Sequence, residues 1–282
     1  WHRHENLLTV LQATERILSE FWVGESAAMA RDVDHGTVVE TIRPGASSPV
    51  VLVCEHASAR IPDAYDALGL AAEDRFSHAV WDPGAEALAR AMSSDLDASL
   101  VAGRVSRLIY DCNRPPTSER ATPDRSELIP VPGNVGLTST QRATRTEAVY
   151  DPFKAAVAAA LDAHKDPVLV TVHSFTPTYF DKPRLTQIGL LHDTDARLVD
   201  AMLAHAAPLR WRVDRNAPYG PGDGVTHTLQ AHALPRGIAN VMIEVRNDLL
   251  TTDQAVTDMA AALTTLLKPA LADLTTTEVH HA

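Results

Sequence analysis

The chain has 282 residues, 45% hydrophobic and 22% charged, and its 36 acidic residues against 25 lysines and arginines give a formal net charge of −11. This composition excludes wholesale disorder, collagen-like repeats and a coiled coil, and no run of roughly eighteen apolar residues offers a membrane-spanning helix. An acidic chain without a basic run argues against nucleic acid as a partner, but it admits small anions, because a few local arginines outweigh the mean field.

In chain order, residues 1–30 read as an exposed or docking helix carrying Leu7, Leu8, Leu11, Ile17, Leu18 and Trp22 at helical spacing. They lack the apolar segment and small-residue cleavage site of a signal peptide. Residues 31–48, with Gly36, Pro44 and Gly45, read as a linker. The expected division is therefore an N-terminal arm and linker over 1–48 and one large domain over 49–282. Val50–Val53 is a continuous apolar run, as in a strand buried on both faces. A helix is predicted over 83–96, and short strands over Leu100–Val105 and Leu108–Tyr110. Residues 115–137, rich in Pro, Gly, Ser and charge, read as a long loop, of a length that is often either a functional lid or disordered. A helix bent near Pro152 is predicted over 139–164, then a strand at Val168–Val172. Further strands at 186–191 and 210–214 flank a helix at 195–206. A short helix at Thr226–Leu234, a strand at Val241–Val245 and a helix over 253–272 close the domain, with His280 and His281 as tail. Strands alternating with helices argue for an α/β three-layer sandwich with a mixed, mostly parallel sheet.

In such sheets reactive groups sit just beyond the carboxyl ends of the strands. Glu55 and His56 follow the first apolar run, His173 and Ser174 follow the run at Val168, and Glu244 and Arg246 close the run at Val241. Arg107, Asp111, Asn113 and Arg114 surround Leu108–Tyr110, and Asp82 precedes the helix at 83. Together they supply metal ligands, a base and anion binders without a Ser or Cys nucleophile. Each has a plainer reading. A histidine after a strand can be a hydrogen-bonded core residue. Asp82 before Pro83 suits a helix cap. Glu244 could pair with Arg246, and Asp111 with Arg114. Cys54 and Cys112 read as small buried apolar residues rather than a disulfide framework, and a reducing cytoplasm is the simplest context for them. Gly220–Gly224 is no phosphate loop, and GxSxG, CxxC and HExxH are absent.

Five segments in order, Val51–Pro62 (VLVCEHASARIP), Trp81–Gly84 (WDPG), Arg107–Pro115 (RLIYDCNRP), Val172–Pro177 (VHSFTP) and Ile243–Leu249 (IEVRNDL), resemble the N-formylglutamate amidohydrolase family over about residues 49–268. The resemblance implies a phosphorylase/hydrolase-like, zinc carboxypeptidase-like fold. It implies His56 and His173 as zinc ligands, Asn113 and Arg114 as a carboxylate clamp, Glu244 as general base, and Arg107 or Arg246 as a second anion binder. Carboxypeptidases place their acidic ligand three residues after the first histidine, where this chain has Ala59. The third ligand is therefore expected at Asp82, with Glu55 as the rival. The implied activity is release of a formyl or similarly small acyl group from an acidic amino acid such as N-formylglutamate, with Zn2+ or another divalent first-row metal. The alternatives are an N-acyl amino acid deacylase, a carboxypeptidase or a non-catalytic small-acid binder. The expected partner is the small acidic substrate, with neither nucleic acid nor membrane, and a monomer or a homo-oligomer is equally compatible.

Overall fold

The computed structural model of the chain describes residues 33–279; the helix expected over 1–30 and the tail histidines His280 and His281 lie outside the described residues. The elements run β1 (Val39–Ile42), β2 (Val50–Cys54), α1 (Ala85–Leu96), β3 (Ser99–Gly103), the hairpin β4 (Arg125–Ser126) and β5 (Ile129–Pro130), α2 (Ser139–Arg145), α3 (Asp151–Asp162) and β6 (Val168–Phe175). There follow the hairpin β7 (Thr178–Tyr179) and β8 (Lys182–Pro183), β9 (Ile188–Leu191), α4 (Arg197–Ala204), β10 (Val213–Arg215), β11 (Asn240–Arg246) and α5 (Asp253–Val279).

Among the described residues seven strands form the central sheet, in the order β1-β3-β2-β6-β11-β9-β10. Neighbours from β3 through β11 run parallel, β1 is an antiparallel edge, and β9 with β10 runs against β11. The sheet is thus mixed and mostly parallel. Residues alternate between its two faces. Leu52, Val172, Ile243 and Leu190 meet α1, α4 and α5 on one side. Val51, Val53, Leu169 and Met242 meet α3 and the helical segment after Thr226 on the other. Burial on both faces is why these strands read as unbroken apolar runs. No helix of the described residues is long and apolar enough to cross a membrane.

Two expectations give way. Within the expected linker, Val39–Ile42 pairs with β3 as the edge strand. Leu108–Tyr110 is a buried turn, not a strand. The Ser106 hydroxyl accepts the Leu108 N–H at 3.1 Å, and the Ile109 N–H reaches the Ser106 carbonyl at 2.9 Å, closing the turn locally. The bend near Pro152 takes the form of one wide turn over Thr146–Tyr150 between α2 and α3. Proline lacks the N–H and crowds the carbonyl four residues back, and a wider turn relieves both.

Candidate metal centre

β2, β6 and β11 are parallel neighbours, so their carboxyl ends open on one edge of the sheet. The backbone turns there under close constraint: a Cβ on Gly103 of β3 would lie 2.2 Å from the Glu55 carbonyl oxygen, so only glycine lets the chain pass as it leaves β2. His56 emerges from this turn, His173 from the end of β6, and Glu244 stands beside His173 in register on β11. Asp82 enters from the segment before α1. Its carboxylate caps nothing; the residue before α1 is Gly84, and the Asp82 backbone carbonyl accepts the Ala85 N–H instead.

His56, Asp82 and His173 are buried, and one ligand atom from each lies within 4.8 Å of the others. Asp82 Oδ2 is 3.2 Å from His56 Nδ1 and 2.9 Å from His173 Nδ1. The far nitrogens are backed by other carboxylates: His56 Nε2 lies 2.8 Å from Asp111 Oδ1, and His173 Nε2 lies 3.1 Å from Glu55 Oε2. Such backing fixes which ring nitrogen is left for a metal. Glu55 therefore stands on the opposite side of the His173 ring from Asp82, where its other oxygen also accepts the Thr228 hydroxyl. Two imidazole nitrogens and one carboxylate oxygen form a donor set that suits zinc and leaves a further position open. These three residues would hold a divalent cation, with His56 Nε2 still held by Asp111.

The electrostatics favour charge at this point. Burial raises the Asp82 carboxyl, but His56, His173 and Arg107 outweigh it and hold the group far below the usual range. Burial and Arg107 lower His56, yet Asp111 and Asp82 hold it above the ordinary imidazole value. Burial lowers His173 too, and Glu55 and Asp82 overcome it. Glu244 behaves oppositely: burial dominates and pushes its carboxyl up to about 7. Its Oε2 is buried without a hydrogen-bond partner among the described residues.

A cavity of about 680 Å³ opens over these groups and is lined by His56, Asp82, Asn113, Arg114, His173 and Glu244. Arg107 lines it as well, with its guanidinium 3.3 Å from Asp82 Oδ1 and 2.8 Å from Asp111 Oδ2. Asn113 is engaged through its amide with the Val225 carbonyl and the Thr228 N–H. Arg246 is not brought to the cavity; it pairs with Asp248 at 2.8 Å rather than with Glu244. Asp111 pairs with Arg107 and His56 rather than with Arg114. Glu55, the rival for the third ligand, stands instead behind His173, and Asp111, read as a partner of Arg114, stands behind His56; Thr228 meets Glu55 and Asn113. A carboxylate next to a strand-end histidine was the available signal for Glu55; Thr228 carries none.

A model of the N-formylglutamate amidohydrolase family matches residues 48–251. Among solved structures, a gene product of Agrobacterium tumefaciens is similar at 49% identity over 85% of this chain and 96% of its own, with a TM-score of 0.82. The N-formylglutamate amidohydrolase of Ralstonia eutropha JMP134 is similar at 19% identity over 83% of this chain and 97% of its own, with a TM-score of 0.57, a likeness of fold. No curated protein matches the chain significantly.

Proposed function

Since the chain belongs to the N-formylglutamate amidohydrolase family, we propose that it is a metal-dependent hydrolase that removes a formyl or similarly small acyl group from an acidic amino acid such as N-formylglutamate. The observation that carries this is the convergence of His56, Asp82 and His173 within 4.8 Å beside Glu244. These three would hold the ion. When bound, zinc or another first-row divalent ion acidifies water and polarises the acyl oxygen. Glu244, poised near neutrality and facing the cavity, would accept the water proton and pass it to the departing amine. Arg114 with Asn113 would hold the substrate's α-carboxylate through charge-assisted hydrogen bonds. Asp111 and Glu55 would keep the two imidazoles oriented. The implied zinc carboxypeptidase-like architecture belongs to the same proposal, supported by the mostly parallel sheet and by ligands at its strand ends. Cys54 and Cys112, buried and unpaired, support a reducing, cytoplasmic setting.

The test is metal analysis together with formate release. One bound divalent ion per chain is expected, with chelator-sensitive formate release from N-formylglutamate. His56→Ala and His173→Ala should lose the ion. Glu244→Gln should keep the ion and lose about 10²–10⁴-fold in kcat. A metal-loaded chain that binds acidic N-acyl amino acids but leaves N-formyl and N-acetyl substrates intact would instead be a binding protein.

A further inference from the structure

The cationic side chains on the cavity wall divide by what already holds them. Arg107 is committed to Asp82 and Asp111. Arg120, Arg125 and Lys182 are exposed at the rim. Arg114 and Arg184 remain. Arg114 is 6% exposed, donates to the Asn113 carbonyl at 2.8 Å, and has no carboxylate within 4.0 Å among the described residues. Arg184 is half-buried and likewise has no carboxylate within 4.0 Å among the described residues. Its guanidinium carbon lies over three rings, 4.3 Å from the centroid of Tyr179, 4.8 Å from Tyr219 and 5.4 Å from Phe175. Nη2 donates to the Tyr219 hydroxyl at 2.8 Å, and Nη1 to the Thr176 carbonyl at 3.4 Å. The backbone is fixed on both sides: the Arg184 N–H reaches the Pro177 carbonyl at 2.8 Å, and Arg246 donates to the Arg184 carbonyl at 3.0 Å. Arg246 thus supports this wall from outside the cavity.

We propose that Arg184 is the residue that receives the side-chain carboxylate of the acidic substrate, with the α-carboxylate at Arg114. This rests on the reading of the site as an N-acyl amino acid hydrolase and names what selects the acidic side chain. A guanidinium carries five N–H donors, and the contacts above leave several for an anion. The rings hold its plane and shield it from water, which strengthens a charge-assisted bond and reduces the ordering it must undergo on binding. Phe175 ends β6 only two residues beyond His173, so this receptor stands on the same strand exit as the candidate centre. The acidic groups on the outer wall do not compete. Glu127 is held by His78 at 2.9 Å, and the Asp223 carboxylate accepts the Gly220 N–H at 2.8 Å.

The experiment compares N-formylglutamate with its uncharged isostere N-formylglutamine on metal-loaded wild type, Arg184→Ala and Arg184→Lys. Arg184→Ala should raise KM for N-formylglutamate by about 10–100-fold, leave kcat nearly unchanged, and leave N-formylglutamine turnover as it was. Arg184→Lys should recover part of the loss, because it keeps the charge without the planar fork. An equal loss on both substrates, or an unchanged KM for N-formylglutamate, overturns the proposal. Calorimetry with glutarate and butyrate separates this outcome from failure of the hydrolase reading. If wild type turns over neither substrate, preferential glutarate binding that Arg184→Ala abolishes still supports the receptor, and equal binding of the two acids overturns it.

Discussion

Asp82 shows how little a single residue's sequence context decides. An Asp-Pro pair before a helix satisfies every rule for a cap, yet the carboxylate sits between two imidazoles. The partners that redirect it, His56 and His173, come from separate strands. What the sequence does carry is position. His56, His173 and Glu244 each follow or close an apolar run, and parallel strands bring such ends together. The arginines were legible as charges but not as free charges, because Asp82, Asp111 and Asp248 hold Arg107 and Arg246 through contacts that no local pattern displays. Arg184 lies in an irregular segment and owes its setting to three aromatic rings, two of them in other segments. A further buried histidine, His232, has a measurable consequence. Burial, then Arg236 and Lys154, lowers the His232 imidazole to about 4. The unfolded chain titrates near 6.5, so between about pH 6.5 and 4 it takes up a proton that the folded chain refuses. The contribution of His232 to stability is therefore complete above that window and falls as pH drops through it, by up to about 3 kcal/mol. Denaturant melts of His232→Asn should show a shallower loss of stability than wild type over this interval. Parallel pH profiles would show that the residue does not titrate this way.

At the scale of elements, the strands buried on both faces were the most legible, since Val50–Val53, Val168–Val172 and Val241–Val245 are unbroken apolar runs. The misread pieces were short. Three apolar residues at Leu108–Tyr110 serve a buried turn as well as a strand, and the Ser106 hydroxyl that decides between them is a local polar contact. Val39–Ile42 is half-exposed and four residues long, so its membership of the sheet comes from pairing with β3 rather than from its own composition. A tight junction between elements lies where β3 passes the exit of β2. In Gly103→Ala the added methyl must displace the Glu55 carbonyl, and the strain of that overpacking is about 1–3 kcal/mol. Because Glu55 and His56 share that backbone, the variant should also bind metal more weakly. A normal melting temperature with full metal occupancy would mean that the strand exit yields without moving His56.

Over the whole molecule, two fields of opposite sign act on an anionic substrate. The formal net charge of −11 repels it at long range, while Arg114, Arg184 and the rim cations attract it at short range. Screening separates the two: the Debye length shrinks from about 30 Å at 0.01 M salt to about 8 Å at 0.15 M. Raising salt over that range should remove mostly the repulsion, so kcat/KM for a dianionic substrate should rise severalfold while that for a neutral isostere stays level. A steep fall instead would mean that the basic wall governs encounter from afar.

The reversal of β9 and β10 against β11 has a further consequence. Chain leaving β10 emerges at the edge remote from the candidate ligands and has to travel back, delivering Tyr219, Asp223 and Val225 to the cavity as it returns. The floor of the pocket is thus anchored in the rigid frame, while much of its outer wall belongs to this return path and to two small hairpins. Lengthening or exchanging those excursions would remodel which acid is admitted without disturbing the cradle beneath, so one scaffold could serve a repertoire of related enzymes.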